Sequence, residues 1–485
     1  MSDNLRNKAF SSLIWRFMER IGAQGVAFVV EIVLARLLAP EAFGIIALVS
    51  VFINILQVFV DSGMGNALIQ KKDADDLDFS SVFYFNMAVC ISLYALMFAA
   101  APFIADFYNM PDLTAVIRVL SLMLVVSGVR NIQQAYVSRN LMFKRFFYAT
   151  LGGTVLAAFV GITMAYKGFG VWAVVGQQLC RATTAAIILW VTVKWRPKLI
   201  FSLERLKGLF SYGWKLLVSS LVDTAYGNLR KMIIGKLYTA EDLSFYDRAS
   251  YFPRFIVGNI DTSIDSVLLP TMSAEQDDKS RVRAMTRRAI KTSTYLMMPC
   301  MVGLAVCAEP VVRLILTEKW LPCVPFLRIL CFTYAFYPIH TANLNAIKAV
   351  GRSDLFLKLE ILKKIVGLIA ILSTMWISVL AMAYSALVTS IFFQLINSWP
   401  NRKLLNYKYL DQFKDMLPQI MLSLGMGTVV YCVSFIGLGD ILTLLIQIPL
   451  GGVLYIAGSK LFHIDSFEYL FSIIKGFRHR GDAMS

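Results

Sequence analysis

Polar and charged side chains recur at helical spacing inside stretches that are otherwise apolar. Arg16, Arg20, Gln24 and Glu31 are spaced 4, 4 and 7 apart. At 100° per residue those steps keep all four on one face of a helix. Asn54, Gln57 and Asp61 follow at steps of 3 and 4. Asp223 and Arg230 lie seven apart, and Arg254, Asp261 and Asp265 are spaced 7 and 4. Arg130, Asn131 and Gln134 form a lesser stripe, as do Tyr334, Tyr337, Thr341, Asn345 and Lys348. The planar fork of arginine matches phosphate oxygens bidentately. Arg20, Arg230 and Arg254, with Gln24, Asn54 and Arg130, are therefore candidate ligands for an anionic cargo. Glu31, Asp61, Asp223, Asp261 and Asp265 are candidate carriers of a proton or sodium ion. A plainer reading stands beside this one: Asp223 with Arg230, or Glu31 with Arg20, would simply neutralise each other. Arg16, Lys215, Arg248 and Lys348 lie near predicted helix ends and read as interface anchors.

The segments carrying these groups are long. Hydrophobic residues make up 58% of the 485 residues and charged residues 16%, against about 45–50% and 25% in soluble domains. That composition excludes a soluble enzyme, a disordered chain and a nucleic-acid-binding domain. The net charge of +16 fits basic cytoplasmic loops instead of nucleic acid. The seven cysteines lie mostly in apolar runs, and their odd number argues against a disulfide framework. His340, His463 and His479 are far apart, so no metal site is expected, and no cofactor either. The first twenty residues, with Arg6, Lys8, Arg16, Glu19 and Arg20, do not read as a cleavable signal peptide.

A helix needs about 20 mostly apolar residues to cross the hydrocarbon layer. The sequence divides into fourteen such helices, near 11–38, 42–69, 81–106, 112–138, 146–166, 170–193, 209–236, 245–271, 290–316, 324–349, 356–376, 379–399, 416–437 and 441–462. Linkers after even-numbered helices hold 25 basic residues, and those after odd-numbered helices hold only Lys167, Lys236 and Lys319. The positive-inside rule places the even linkers and both termini in the cytoplasm.

An internal repeat crosses this pattern. Ala35–Glu41 (Ala-Arg-Leu-Leu-Ala-Pro-Glu) returns as Gly235–Glu241 (Gly-Lys-Leu-Tyr-Thr-Ala-Glu), an offset of 200. A weaker echo links Gln134-Ala135 with Asn345-Ala346. Six helices per unit is an even number, so the two copies would share one topology. The expected organisation is a lobe over 1–200 (helices 1–6), a lobe over 201–400 (helices 7–12), and two further helices with a tail over 401–485. A cavity lined by helices 1, 2, 7 and 8 would hide the polar stripes.

The Ala-Arg-Leu-Leu-Ala-Pro-Glu-Ala-Phe-Gly turn and the stretch Asp61–Gln70 (Asp-Ser-Gly-Met-Gly-Asn-Ala-Leu-Ile-Gln) resemble the Wzx-type polysaccharide flippases. These belong to the multidrug/oligosaccharidyl-lipid/polysaccharide exporter superfamily, and the similarity is strongest to its colanic-acid exporter branch. The resemblance implies an all-α, polytopic fold like that of the multidrug exporters, two six-helix lobes plus two helices, with alternating access through a V-shaped cavity. It implies an undecaprenyl-diphosphate-linked oligosaccharide as cargo, carried across the bacterial inner membrane for exopolysaccharide or lipopolysaccharide synthesis. Membrane lipids are the other expected partners, and nucleic acid is not one.

Two other classes compete. An ion-coupled multidrug exporter of the same fold should have an acidic, aromatic pocket, whereas these stripes are rich in arginine. A membrane polysaccharide polymerase should need a large extramembrane loop, and the longest outside linker has about ten residues. No G-x-x-x-x-G-K-[ST] is present, so no P-loop ATPase is expected. Asp73-Ala-Asp75-Asp76 imitates a glycosyltransferase metal motif but reads better as a solvated charge run.

Overall fold

A computed structural model describes residues 22–61, 64–71 and 73–472. It is all-α, with no strand among the described residues. Among the described residues, ten helices are long and apolar enough to cross a membrane. The expected spans 11–38, 209–236, 245–271 and 356–376 are also helical over their described residues, but carry more charge.

The contacts divide the chain into two compact units, residues 1–244 and 245–485. In the first, α1 is described over 22–37. It is followed by α2 (Pro40–Asp61), α3 (Met64–Gln70), α4 (Asp76–Tyr108), α5 (Leu113–Leu120), α6 (Leu122–Arg139), α7 (Phe143–Tyr166), α8 (Val171–Thr192) and α9 (Leu203–Leu237). The division falls after α9, which packs on α2, α3 and α4. α10 (Ala240–Ala274) begins at the division. The second unit adds α11 (Lys279–Val306), α12 (Ala308–Ile315), α13 (Val324–Ala335), α14 (Tyr337–Ala349), α15 (Ser353–Thr374) and α16 (Val379–Ser398). The short α17 (Asn401–Leu404), α18 (Tyr409–Cys432), α19 (Asp440–Leu461) and a last helix, α20, described over 465–472, complete it.

Large apolar side chains point outward as well as inward, among them Phe159, Val191, Trp376 and Leu445. In water this would favour aggregation; in a bilayer it is the solvated state. Where helices meet, glycines let backbones approach. A Cβ on Gly153 would stand 2.8 Å from the Arg181 carbonyl oxygen, and one on Gly161 would stand 2.7 Å from Gln177 Cβ. α7 and α8 accordingly pack along their length.

Helix boundaries differ from expectation where local chemistry competes with apolar periodicity. The span expected at 112–138 is broken at Ser121, and the one at 324–349 is broken at Phe336, just before Pro338. The basic stretch after the eighth span is not a loop. α11 starts at Lys279, where the Asp278 carboxylate accepts from the Ser280 and Arg281 amides. Two basic turns thus precede its apolar part. α9 and α10, 35 residues each, would extend about 52 Å at 1.5 Å per residue, well beyond the hydrocarbon layer.

The repeated sequence folds as a repeated elbow. α1 ends at residue 37 and α2 starts at Pro40; α9 ends at Leu237 and α10 starts at Ala240. Both breaks are two residues long and lie 200 residues apart. The elbows also meet. A Cβ on Gly44 would fall 1.7 Å from the Ala240 carbonyl oxygen, and one on Gly235 would fall 2.9 Å from Leu48 Cδ1.

Candidate functional site

The polar stripes pair helix with helix. In the first unit Asn131 on α6 donates to the Val60 carbonyl at 2.9 Å and to Asp61 Oδ1 at 3.4 Å, while Gln57 donates to the same Asp61 oxygen at 3.2 Å. Eight residues further along both helices, Arg139 donates to the Leu68 carbonyl at 2.7 Å. A constant separation of 71 residues means that the α2–α3 and α6 segments run parallel. In the second unit Arg254 Nε donates to the Tyr334 hydroxyl at 2.6 Å, and Asn345 donates to Asp265 Oδ1 at 2.8 Å. Asp261 faces Thr341 between these pairs. All three pairs are separated by 80 residues, so α10 and α13–α14 also run parallel and in register.

Asp61 and Asp261 are 200 residues apart, the offset of the elbows. Each meets a polar side chain of the second helix along, Asn131 in one case and Thr341 in the other. The two carboxylates therefore occupy equivalent places in the repeat. Asp261 Oδ1 is buried with no hydrogen-bond partner.

Beside Asp61 the first unit holds a pocket of about 300 Å³ among α1, α6, α7 and α8. It is lined by Gln24, Arg130, Thr150, Thr154 and Arg181, with small Ala23, Ala27 and Ala185 between them. Arg130 Nε is buried without a hydrogen-bond partner. Arg181 is close enough to repel it, and Asp61 to attract it. Two arginines, two threonine hydroxyls and an amide converge with no carboxylate in the lining. That donor set suits an anion with several oxygens.

The predicted residues are thus distributed unevenly. Gln24 and Arg130 share the pocket, and Asp61 neighbours it. Asn54 lies exposed on α2 and Glu31 half-buried on α1. Asp223 and Arg230 lie two turns apart on α9 in the first unit, while Arg254, Asp261 and Asp265 lie in the second. Arg20 falls outside the described residues. Sequence spacing alone did not single out Arg181, although Gln177, Gln178 and Thr184 lie three or four residues from it. It is nonetheless the one charge in α8, and that was the available signal.

Two expectations are corrected by packing. Arg248 does not reach for an interface; it is 7% exposed, with its guanidinium 5.4 Å from the Trp320 ring centre. The Asp73–Asp76 run is not merely solvated. Asp75 caps α4 in a capping box with Asp78, and Asp76 accepts from the Trp195 indole at 3.0 Å and pairs with Lys198 at 2.6 Å.

Apolar spans in two units, each with an internal polar ladder, define a multi-pass membrane protein with a transporter fold. The fold matches the solved "Lipid II flippase MurJ, inward closed conformation" with a TM-score of 0.76 at 16% identity, covering 94% of this chain and 99% of that one. A multidrug resistance MATE family transporter of the MOP superfamily matches at 0.63 and 14% identity, over 81% of this chain and 99% of that one. In sequence, the model of the polysaccharide biosynthesis protein family matches residues 33–325, and the chain belongs to that family. Among its relatives, the teichuronic acid biosynthesis protein TuaB of Bacillus subtilis is 24% identical over 78% of this chain and 79% of its own. The lipopolysaccharide biosynthesis protein WzxC of Escherichia coli is 25% identical over 74% of each. The succinoglycan biosynthesis transport protein ExoT of Rhizobium meliloti is 22% identical over 70% of this chain and 68% of its own.

Proposed function

We propose that this protein flips an undecaprenyl-diphosphate-linked oligosaccharide repeat unit across a bacterial inner membrane, for exopolysaccharide or lipopolysaccharide synthesis. The observation that carries the reading is the Arg130–Arg181 pocket: two guanidinium groups with no carboxylate in the lining, set within membrane helices. An isolated arginine at mid-membrane costs about 2.5–3.5 kcal/mol on the insertion scale. Two in one pocket are expected where a cargo brings negative charge. The diphosphate supplies it, while the prenyl tail remains in lipid. Family membership and the transporter fold support the same reading, and a pocket for organic cations would carry the opposite charge. Arg20, Arg230 and Arg254, with Gln24 and Asn54, extend the proposed polar path, and the protein catalyses no covalent step. The repeat units are taken as 1–200 and 201–400, with 401–485 appended.

In this reading both termini and the even linkers are cytoplasmic. Asp61 and Asp261, equivalent in the repeat, are the foremost ion carriers, ahead of Glu31, Asp223 and Asp265. The test is to delete the gene and identify the undecaprenyl-linked glycan that builds up on the inner leaflet. Accumulation relieved by the wild-type chain but not by R130A/R181A at normal abundance is the expected result. No accumulation of any lipid-linked glycan in the deletion strain would rule the reading out.

A further inference from the structure

A second basic pocket lies away from the polar ladders, at one end of α11. Ala284, Arg287, Arg288, Lys291 and Thr292 fall at steps of 3, 1, 3 and 1, one helical face. Across from them stand Asp465, Ser466 and Tyr469 of α20, and a cavity of about 310 Å³ lies between. Its charges do not balance. Arg287 is held bidentately by Asp415, at 2.6 and 2.7 Å. Lys291 pairs with Asp465, which is largely exposed. The Lys291 ammonium holds that carboxyl below its ordinary range, so Asp465 stays ionised at neutral pH. Arg288 has no carboxylate partner among the described residues and lies with its guanidinium 4.5 Å from the Tyr469 ring centre. Arg288 lines the cavity beside Tyr469, and Thr292 and Ser466 add hydroxyl groups to the lining.

The level of the pocket decides its occupant. It sits one turn before the apolar part of α11, which begins at Tyr295. On the other side, the neighbouring Leu461, Phe462 and Phe471 point large apolar side chains outward, while Phe467 and Leu470 pack inward against the cluster around Tyr295 and Tyr455. α20 is therefore amphipathic and lies at the boundary between hydrocarbon and water. Phosphate groups of lipids occupy that level, and basic pockets between membrane helices bind them.

We propose that the Arg288–Tyr469 pocket is a binding site for a phosphate headgroup, filled by an anionic phospholipid of the surrounding leaflet. This site is separate from the Arg130–Arg181 pocket, and the proposal does not depend on what the protein transports. The test uses the purified full-length protein and native mass spectrometry. Phosphatidylglycerol and phosphatidylcholine with identical acyl chains are titrated against wild type, R288Q, R288K and R281Q, and inorganic pyrophosphate is titrated separately. Arg281, paired with Glu275 outside the pocket, controls for loss of a charge. The expected result is a preference for phosphatidylglycerol that R288Q weakens about tenfold, R288K weakens less, and R281Q leaves unchanged. Pyrophosphate binding that is lost in R288Q, without a phosphatidylglycerol preference, supports the phosphate site but assigns it to a soluble diphosphate. Equal retention of both lipids without pyrophosphate binding overturns the proposal, as does unchanged binding in R288Q. An R288Q protein that melts like wild type excludes unfolding as the cause.

Discussion

At the scale of single residues, the Arg130–Arg181 pair separates a cargo site from a structural one. Losing a charge-assisted hydrogen bond costs about 1.5–3 kcal/mol, so R181A should slow transport by roughly ten- to a hundredfold. Lysine keeps the charge without the fork, and R181K should fall between. Abundance should not change, because Arg181 is exposed at the pocket mouth and its carbonyl, not its side chain, packs against Gly153. Transport by R181A at the wild-type rate in a complementation assay would remove the pocket from the path. The repeat-equivalent carboxylates give a second prediction. D61N and D261N keep shape and hydrogen-bonding capacity but cannot carry an ion. If either carboxylate couples transport, its variant should lose the dependence of transport on the proton or sodium gradient while reaching normal abundance. A gradient dependence identical to wild type in both would exclude them.

What was legible at this scale followed from spacing. Asp61, Asp261 and Asp265 stood out because polar neighbours recur at 3, 4 or 7 residues, and each does meet a polar partner on a parallel helix. Arg181 has such neighbours in Gln177, Gln178 and Thr184, but Arg130, with which it lines the pocket, is 51 positions away in sequence. A one-dimensional pattern cannot report a pocket closed by four helices. Arg248 was misjudged for the same reason. Nearness to a helix end says nothing about Trp320, which lies 72 residues on.

At the scale of elements, the elbows explain why the repeat is readable. A basic residue ends each first helix, two residues turn the chain, and an acidic residue opens the next, complementing the helix dipoles. Glu41 and Glu241 occupy those first turns. The close approach of the elbows was invisible, because it depends on Gly44 facing Ala240 across nearly 200 residues. G44A should therefore destabilise the protein by about 1–3 kcal/mol through overpacking. G25A, in a helix with open space around it, should instead be neutral or stabilising by up to about 1 kcal/mol. Thermal melting in detergent checks both, and a G44A protein as stable as G25A would refute the contact. A turn at the start of α15 behaves differently. Arg352 donates twice to Asp354 at 2.9 Å and holds its carboxyl down at about 2. With the folded value below the ordinary one, any stabilisation is present above the unfolded pKa and is lost only as pH falls through about 2. The D354N-minus-wild-type difference in melting temperature should accordingly be flat from about pH 5 to 8, since an ordinary aspartate titrates near 3.9. A slope in that window would mean that another group controls the turn.

At the scale of the whole molecule, orientation follows from charge and local topology together. Parallel pairing of the α2–α3 segment with α6, and of α10 with α13–α14, requires one return crossing between the members of each pair. That crossing is α4 in the first case and α11 in the second. Within the first unit the linkers that follow α3 and α6 then share a side, and within the second unit so do those that follow α10 and α14, because each pair ends parallel helices. The insertion machinery retains lysine- and arginine-rich linkers on the cytoplasmic side, so the stretch at 275–291, with its six basic residues, should be cytoplasmic and the turn at 437–439 external. Single cysteines in a cysteine-free background test this with a membrane-impermeant maleimide on intact cells. A cysteine at Gly439 should label, and one at Asp277 should label only after the membrane is opened. The opposite pattern would invert the protein, and with it the direction of transport. Labelling at both sites in intact cells would overturn the count of crossings between them, because the two positions are separated by an odd number only if α11, α13–α14, α15, α16 and α18 each span once.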